Sequence, residues 1–340
     1  MKKTIAWPVI FFVGLLLIVG FFFVPYYRFI TQKLKISPFK AVFSNDALKT
    51  YDNQVNILIL GIAGQDHDGP NLSDSIIVAN YNLKSNKFTT ISIPRDIWSP
   101  TLRDKINSAY AYGEAKKANS GGFILAKSEV SAIVGIPVHY AAAIDFEKFQ
   151  ELIDFLGGIE VDVQRSFTDN KFPIKGKETD ECNGDKEYKC RYETVTFRKG
   201  KTIMDGETAL KFVRSRYADG PEGTDFAREL RQQKVMTAVK DKVISYVRRP
   251  DIGRYAELYS LLNKLVKRDI TNQQVAIMMR NAVLNRKLDL REISLSEDFF
   301  VNPDISGEYD YLWVLVPKTG DFNAIHNYIR GQLKDEGKGN

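Results

Sequence analysis

The sequence predicts an α/β (α+β) domain, a central mixed β-sheet flanked by helices, preceded by one N-terminal transmembrane helix. Three observations carry this expectation. Short apolar runs bounded by turn residues alternate with stretches of helical period, the pattern of helices packed on a sheet. The chain has 340 residues, 44% hydrophobic and 26% charged, ample material for a core. The stretch from Ile5 to Tyr27 carries no charge and is long enough to span a bilayer as a helix.

The elements follow in order. Residues 1–4 read as a cytoplasmic tail and 5–27 as an uncleaved anchor, because no A-x-A-like cleavage site follows Gly20. Lys2 and Lys3 face Arg28, Lys33, Lys35 and Lys40 across the span, so basic residues alone do not orient it. Residues 28–54 form a juxtamembrane linker. The first strand is "VNILIL" (55–60), followed by the Gly/Asp/Asn-rich loop 61–75. Strands at 75–83 and 87–94 are joined by a turn at Ser85-Asn86. A helix is expected at 121–135 and a strand at 138–144. Phe146, Phe149, Leu152, Ile153 and Leu156 share one face of the next helix, which Gly157-Gly158 stops. "IEVDV" (159–163) is a strand, and 165–195 is a long polar excursion. Helices follow at 205–216 and 226–248, closing a domain over 55–249. Residues 250–340 read as a C-terminal extension or small α/β subdomain, with helices at 254–266, 272–284 and 321–334 and a strand at 311–317.

Several function classes are excluded. His67, His139 and His326 are far apart, without the H-x-x-x-H spacing of a zinc hydrolase. No G-x-S-x-G or G-x-x-x-x-G-K-[ST] motif is present. A net charge of +6 suits anionic partners. No helix-turn-helix stands out, so nucleic acid is not expected. Cys182 and Cys190, the only cysteines, lie in one polar loop. Such a pair suits a disulfide formed in an oxidising compartment.

The remaining chemistry is arginine and aspartate at strand ends and helix starts. Asp66, Asp68 and Asp74 cluster on one loop, where carboxylates can hold Mg²⁺ or simply form a solvated turn. Arg95 follows a strand and Pro94, and ligands of open α/β sheets sit outside strand ends. Lys105 and Asn107 lie just downstream in an aromatic-rich run. Arg214 and Arg216 end one helix, and Thr224 or Asp225 starts the next. Arg228, Arg231 and Gln232 fall at i, i+3 and i+4, so their Cα atoms share a helix face. Arginines and grouped aspartates without a hydroxyl or thiol nucleophile motif suit a diphosphate held by cations, where catalysis is charge stabilisation. "YAAAI" at 140–144 puts three small side chains on a strand, leaving room for a lipid chain or for close helix–sheet packing.

The segments "NILILGI", "SDSIIVANYN", "ISIPRD", "KINSAYAYG", "DFEKFQELIDFLGGIEVDV", "GETALKFVRSR" and "DFARELRQQ" together resemble the LytR-CpsA-Psr family of bacterial envelope enzymes. That resemblance implies a cell-membrane, single-pass protein whose catalytic domain is extracytoplasmic. It implies transfer of a glycan polymer from a polyprenyl-diphosphate carrier to a cell-wall acceptor, expected to be peptidoglycan, with Mg²⁺ on the diphosphate. Asp74 matches the family's metal-ligand aspartate, and Arg95 the phosphate-contacting arginine of "PRD". Arg214 and Arg216 match the paired arginines, and Asp225, Arg228 and Gln232 the D-x-x-R-x-x-x-Q group, with Arg231 beside it. The expected catalytic set is Asp74, Arg95, Asp225 and Arg228, with Asp74 or Asp225 as the base. The expected diphosphate-binding set is Arg95, Lys105, Arg214, Arg216, Arg228, Arg231 and Gln232. Ala63 stands where members commonly carry an aspartate, and Leu72 where many carry arginine. Asp68 or Asp66 would then supply the second metal carboxylate beside Asp74. Two alternatives use the same residues: a hydrolase of polyprenyl diphosphates, or a non-enzymatic lipid-carrier-binding or regulatory envelope protein.

Overall fold

The computed structural model describes residues 7–62, 71–177, 179–284, 289–295 and 298–334. In chain order the elements begin with α1 (Trp7–Arg28), α2 (Pro38–Phe43), β1 (Gln54–Ile62), β2 (Ser73–Asn82), β3 (Lys87–Ile93), β4 (Trp98–Ser99), β5 (Asp104–Lys105), α3 (Ala109–Lys116), α4 (Gly121–Val134) and β6 (Tyr140–Asp145). Then come α5 (Phe146–Phe155), β7 (Ile159–Val163), β8 (Phe167–Pro173), β9 (Tyr192–Phe197), β10 (Gly200–Met204), α6 (Gly206–Arg214), α7 (Asp225–Val247) and α8 (Ile252–Leu265). The last are β11 (Val266–Arg268), α9 (Asn272–Leu284), β12 (Asp289–Ser294), β13 (Phe300–Val301), β14 (Val316–Pro317) and α10 (Asn323–Leu333).

The chain divides into two compact units, Met1–Phe146 with Val266–Asn340, and Glu147–Leu265. The first is built on the expected central mixed sheet, in the order β11-β6-β1-β2-β3-β12. β1 runs parallel to β6 and antiparallel to β2, and β3 runs antiparallel to β2 and parallel to β12. Strand alternation sends Leu58, Leu60, Val78, Ile91, Ala141 and Ala143 into one core, shared with Phe123, Val130 and Ile133 of α4 and Ile325 and Ile329 of α10. Ala141 and Ala143 are thus filled by close helix–sheet packing, while Ala142 is only partly covered. On a second, smaller core, Val55 and Tyr140 pack with Ile270 and Ile277 of the α9 region. α3 and α4 meet where Gly113 lies against the backbone of Gly121, a gap too small for a side chain.

The boundary expected at 249/250 is corrected: β11 and β12, both beyond residue 250, form the two edges of the central sheet. β12 is exposed at Asp289, Leu290, Arg291 and Glu292, so it lacks the apolar alternation that reveals a strand. The expected strand at 311–317 is reduced to Val316–Pro317, because Asp310 and Tyr311 both adopt left-handed conformations that end extended backbone.

α1 continues into a π-helical turn at Phe29–Lys33. Among the described residues no helix is long and apolar enough to cross a membrane; the expected span at 5–27 falls in part on residues outside that description.

The second unit holds two hairpin-like sheets, β7 with β10 and β8 with β9, and helices α5 to α8. Gly157 and Gly158, at φ +74 and +82, turn the chain from α5 into β7, and any Cβ at Gly158 would press on the Met204 carbonyl. The polar excursion contains β8 and β9, and Cys182 and Cys190 between them form the expected disulfide.

Candidate active site

In the first unit, β1, β3, β6 and β12 point the same way, so their carboxyl ends share one edge of the sheet. The start of β2 lies at that edge. The β1–β2 register shifts between Gly61 and Ile62, with Ile62 opposite Ser73 and Gly61 opposite Ser75. Asp74 is the extra residue of this bulge, a device that re-aims a side chain at a strand end. Ile76 pairs with Ile93 in the antiparallel β2–β3 ladder. Two residues further out, the same register sets Asp74 across from Arg95. Arg95 Nη1 donates to Asp74 Oδ1 at 2.5 Å.

The charges continue beyond this pair. Arg95 Nε lies 3.5 Å from Asp96 Oδ2, and Lys105 Nζ lies 2.8 Å from Asp96 Oδ1. The backbone enforces this arrangement: Asn107 N–H donates to the Arg95 carbonyl at 3.2 Å, and β4 pairs Trp98 with Lys105 of β5. Asp74, Arg95, Asp96 and Lys105 thus form one chain of alternating charge, each side chain between 22% and 43% exposed. A phosphate group can take the donors of Arg95 and Lys105 in exchange for these carboxylates, and arginine's planar fork suits two of its oxygens. Asp104 extends the row. Tyr112 donates its hydroxyl to Asp104 at 2.5 Å, and that bond, followed by partial burial, pushes the phenol's pKa up.

In the second unit, α6 ends at Arg214, and Arg214 and Arg216 are both exposed. The loop that carries them is held from beneath by two buried charges. Asp169, fully buried, accepts the backbone N–H groups of Arg216 and Tyr217 at 3.0 and 3.2 Å on Oδ2, and that of Lys171 at 2.9 Å on Oδ1. Arg231, 3% exposed, donates to the carbonyls of Phe212, Ser215 and Glu222 at 3.0, 2.7 and 2.8 Å, and to the Glu222 carboxylate at 3.0 Å. Its guanidinium also lies 4.8 Å from the centre of the Phe167 ring. Burial pulls the Arg231 pKa down, and Glu222 opposes that shift. α7 then begins at a Thr224 cap, whose Oγ1 accepts the Ala227 N–H at 3.2 Å.

The expected residues therefore fall into distinct places. Asp74, Arg95 and Lys105 come together in the first unit, joined by Asp96, the unassigned acid of "PRD". Arg214, Arg216 and Gln232 are exposed and Arg228 is half-buried in the second unit. The face expected to carry Arg228, Arg231 and Gln232 together is corrected at Arg231, whose long side chain turns inward because the loop's carbonyls need donors there. Asp66 and Asp68, with Ala63, lie outside the described residues, as does the Asp225 side chain. Asp169 was missed because nothing in the polar stretch around it distinguishes one acid from another.

The donor set bears on Mg²⁺. Asp74 offers a hard carboxylate oxygen at the rim of the acidic loop, which suits that ion. Among the described residues the one group with metal-ligand spacing is Asp180, Cys182 and Cys190, and its two sulfurs are bonded to each other.

Known proteins are similar to this chain in sequence and in fold. A curated relative from Bacillus cereus (strain AH820), named polyisoprenyl-teichoic acid–peptidoglycan teichoic acid transferase TagU, is 29% identical over 344 residues, covering 98% of this chain and 99% of its own. A relative of the same name from Bacillus mycoides (strain KBAB4) is 29% identical over 284 residues, covering 82% and 79%. A crystal structure from Enterococcus faecalis, described as transcriptional regulator EF0465, superposes with a TM-score of 0.52 at 26% identity, covering 83% of this chain and 88% of that one. The crystal structure of Bacillus subtilis TagU shares the fold with a TM-score of 0.51 at 21% identity, over 84% and 98%. The model of the LytR_cpsA_psr family matches residues 30–323, running past the second unit into the strands and loops that complete the sheet. With that extent of match, and with the strand-end charges in place, the chain belongs to the LytR-CpsA-Psr family.

Proposed function

We propose that this protein transfers a glycan polymer from a polyprenyl-diphosphate carrier to peptidoglycan. The observation that carries the reading is the Asp74–Arg95–Asp96–Lys105 chain at the carboxyl ends of the sheet strands, a place where open α/β sheets bind ligands. The TagU relatives, named for transfer of teichoic acid to peptidoglycan, support the substrate class. In the first unit the diphosphate-binding groups are Arg95 and Lys105. Within the second unit, the exposed Arg214 and Arg216 and the half-buried Arg228 are anion-binding cations. Asp169 and Arg231 set the loop that presents Arg214 and Arg216.

The acceptor hydroxyl oxygen attacks the phosphorus that bears the sugar. A new P–O bond forms there, the P–O bond to the lipid phosphate breaks, and polyprenyl phosphate leaves. The hydroxyl proton passes to a carboxylate, Asp74 or Asp225. Arg95, with Lys105 beside it, balances charge that builds on the departing oxygen. Asp74 and Asp68 would hold Mg²⁺, which when bound neutralises diphosphate oxygens. The stretch from Ile5 to Tyr27, which carries no charge, serves in this reading as the membrane anchor, and the Cys182–Cys190 disulfide supports an extracytoplasmic catalytic domain.

The test uses the full chain in detergent with a polyprenyl-diphosphate-linked saccharide and peptidoglycan fragments, with Mg²⁺ or EDTA, read by mass spectrometry. Glycosylated fragment and lipid phosphate should appear only with Mg²⁺. Arg95→Ala and Arg214→Ala should each slow turnover by about 10²–10³-fold. Lipid phosphate without glycan transfer would make the protein a hydrolase. Donor binding without either product would make it a carrier-binding protein, the reading nearest to the regulator description of the Enterococcus structure.

A further inference from the structure

One exposed side chain of the first unit stands beside the phosphate-binding cations and has no role in the reading above. Trp313 is 50% exposed, and Lys105 Nζ sits 5.6 Å from its ring centroid. Lys105 is tied through Asp96 to Arg95, so the indole ends the same row of charges that starts at Asp74.

The backbone on both sides of Trp313 is fixed. Leu315 N–H donates to the Asp96 carbonyl, and Trp98 N–H to the Leu315 carbonyl, each at 2.9 Å. Asn302 Nδ2 donates to the Val314 carbonyl at 2.9 Å. On the other side, Arg103 grips both oxygens of Asp310 at 3.1 and 2.6 Å, and Tyr309 packs edge-on against Trp98 at 5.6 Å. Asp310 and Tyr311 take left-handed conformations at φ 48 and 59, which non-glycine residues adopt when their surroundings hold them there. An exposed indole on a backbone held this firmly is presented, with little entropy left to lose on contact.

We propose that Trp313 is a stacking platform for a pyranose ring of the carrier-linked glycan, close to the diphosphate. This rests on the proposed transferase reading. A sugar bonded to a phosphate on Arg95 and Lys105 is carried over the neighbouring ring by its own linkage. The C–H face of a pyranose is apolar and flat, which suits an aromatic face, while its rim of hydroxyls needs acceptors. Carboxylates lie on the adjoining segments: Asp96 and Asp104 both bond Lys105, whose ammonium faces the indole, and Asp310 is three residues before Trp313. The same acids, with Asp304 and Glu308 on the loop before it, disfavour an anionic lipid surface as the occupant.

The experiment measures binding by the full chain in detergent of two ligands, bare polyprenyl diphosphate and polyprenyl diphosphate carrying one N-acetylhexosamine. Trp313→Ala should weaken the saccharide-bearing ligand about tenfold and leave the bare ligand within about twofold, with Trp313→Phe recovering most of the loss. An equal loss on both ligands would make Trp313 a support for Lys105 or a lipid contact and overturn the platform. No loss on either ligand would overturn it as well. Wild-type protein that binds neither ligand would overturn the transferase reading, and the platform with it.

Discussion

Replacing Arg231 by methionine isolates what the buried guanidinium does. Methionine keeps much of the volume packed against Phe167 and Phe212 but donates no hydrogen bond. The change strips partners from the carbonyls of Phe212, Ser215 and Glu222 and leaves the Glu222 carboxylate, with its side chain 18% exposed, without its cation. Each charge-assisted bond contributes about 1.5–3 kcal/mol, but these share one donor group and do not add. The better guide is the loss on removing one partner of a buried ion pair, about 3–5 kcal/mol. Urea unfolding followed by circular dichroism should therefore show a lower midpoint at unchanged slope, the product of midpoint shift and slope giving that loss. Glu222→Gln, which keeps an acceptor, should cost about 1 kcal/mol. A loss below about 1 kcal/mol in Arg231→Met would refute the assignment, because the carbonyls would then have found other donors.

Three further outcomes are expected. His139 accepts the Asn56 N–H on Nδ1 at 2.9 Å, and burial, helped by Lys49 and Lys127, lowers its pKa below 6.5. Its contribution is present above the unfolded value and is lost as pH falls through the lowered folded value. Chemical denaturation at stepped pH should thus show stability declining below about pH 6.5, and His139→Gln should remove that part of the slope. A methyl group at Gly113 would collide with the Gly121 carbonyl. Neither backbone can yield without parting α3 from α4, so Gly113→Ala should lower stability by about 1–3 kcal/mol in thermal unfolding. The disulfide closes a loop with a sequence separation of 8. Cys182→Ser/Cys190→Ser should destabilise by at most about 2.5 kcal/mol on loop-entropy grounds, and turnover should persist, because the bridge lies in an exposed loop and touches none of the proposed diphosphate-binding residues.

Legibility in the sequence followed period and burial. β1, β2, β3, β6, α4 and α5 were readable because one side of each is apolar at the right spacing. β12 was not, because it joins the sheet through its backbone while presenting Asp289, Arg291 and Glu292 to solvent. β8 and β9 were hidden by polar residues that face water on alternate positions. At the site, Asp74 and Arg95 were legible as neighbours of strand ends, and the hairpin register explains why they meet. Arg231 shows the opposite limit. Helical spacing fixes where its Cα lies, but a side chain with several rotatable bonds can leave its face and reach 19 residues back to the Phe212 carbonyl.

The two edges of the central sheet are contributed by β11 and β12. Synthesis runs from the N-terminus, so β6 waits for β11 until the whole of residues 147–265 has been made. β3 waits longer still for β12. A nascent chain can fold β1, β2, β3 and β6 early, yet it carries two open rows of backbone donors and acceptors until its final quarter arrives. Such rims invite pairing with other nascent chains. A product that stops short of Val266 should therefore be prone to aggregate even though most of its sheet is intact, and a cell making this protein needs either rapid completion of the chain or a chaperone that shields those rims.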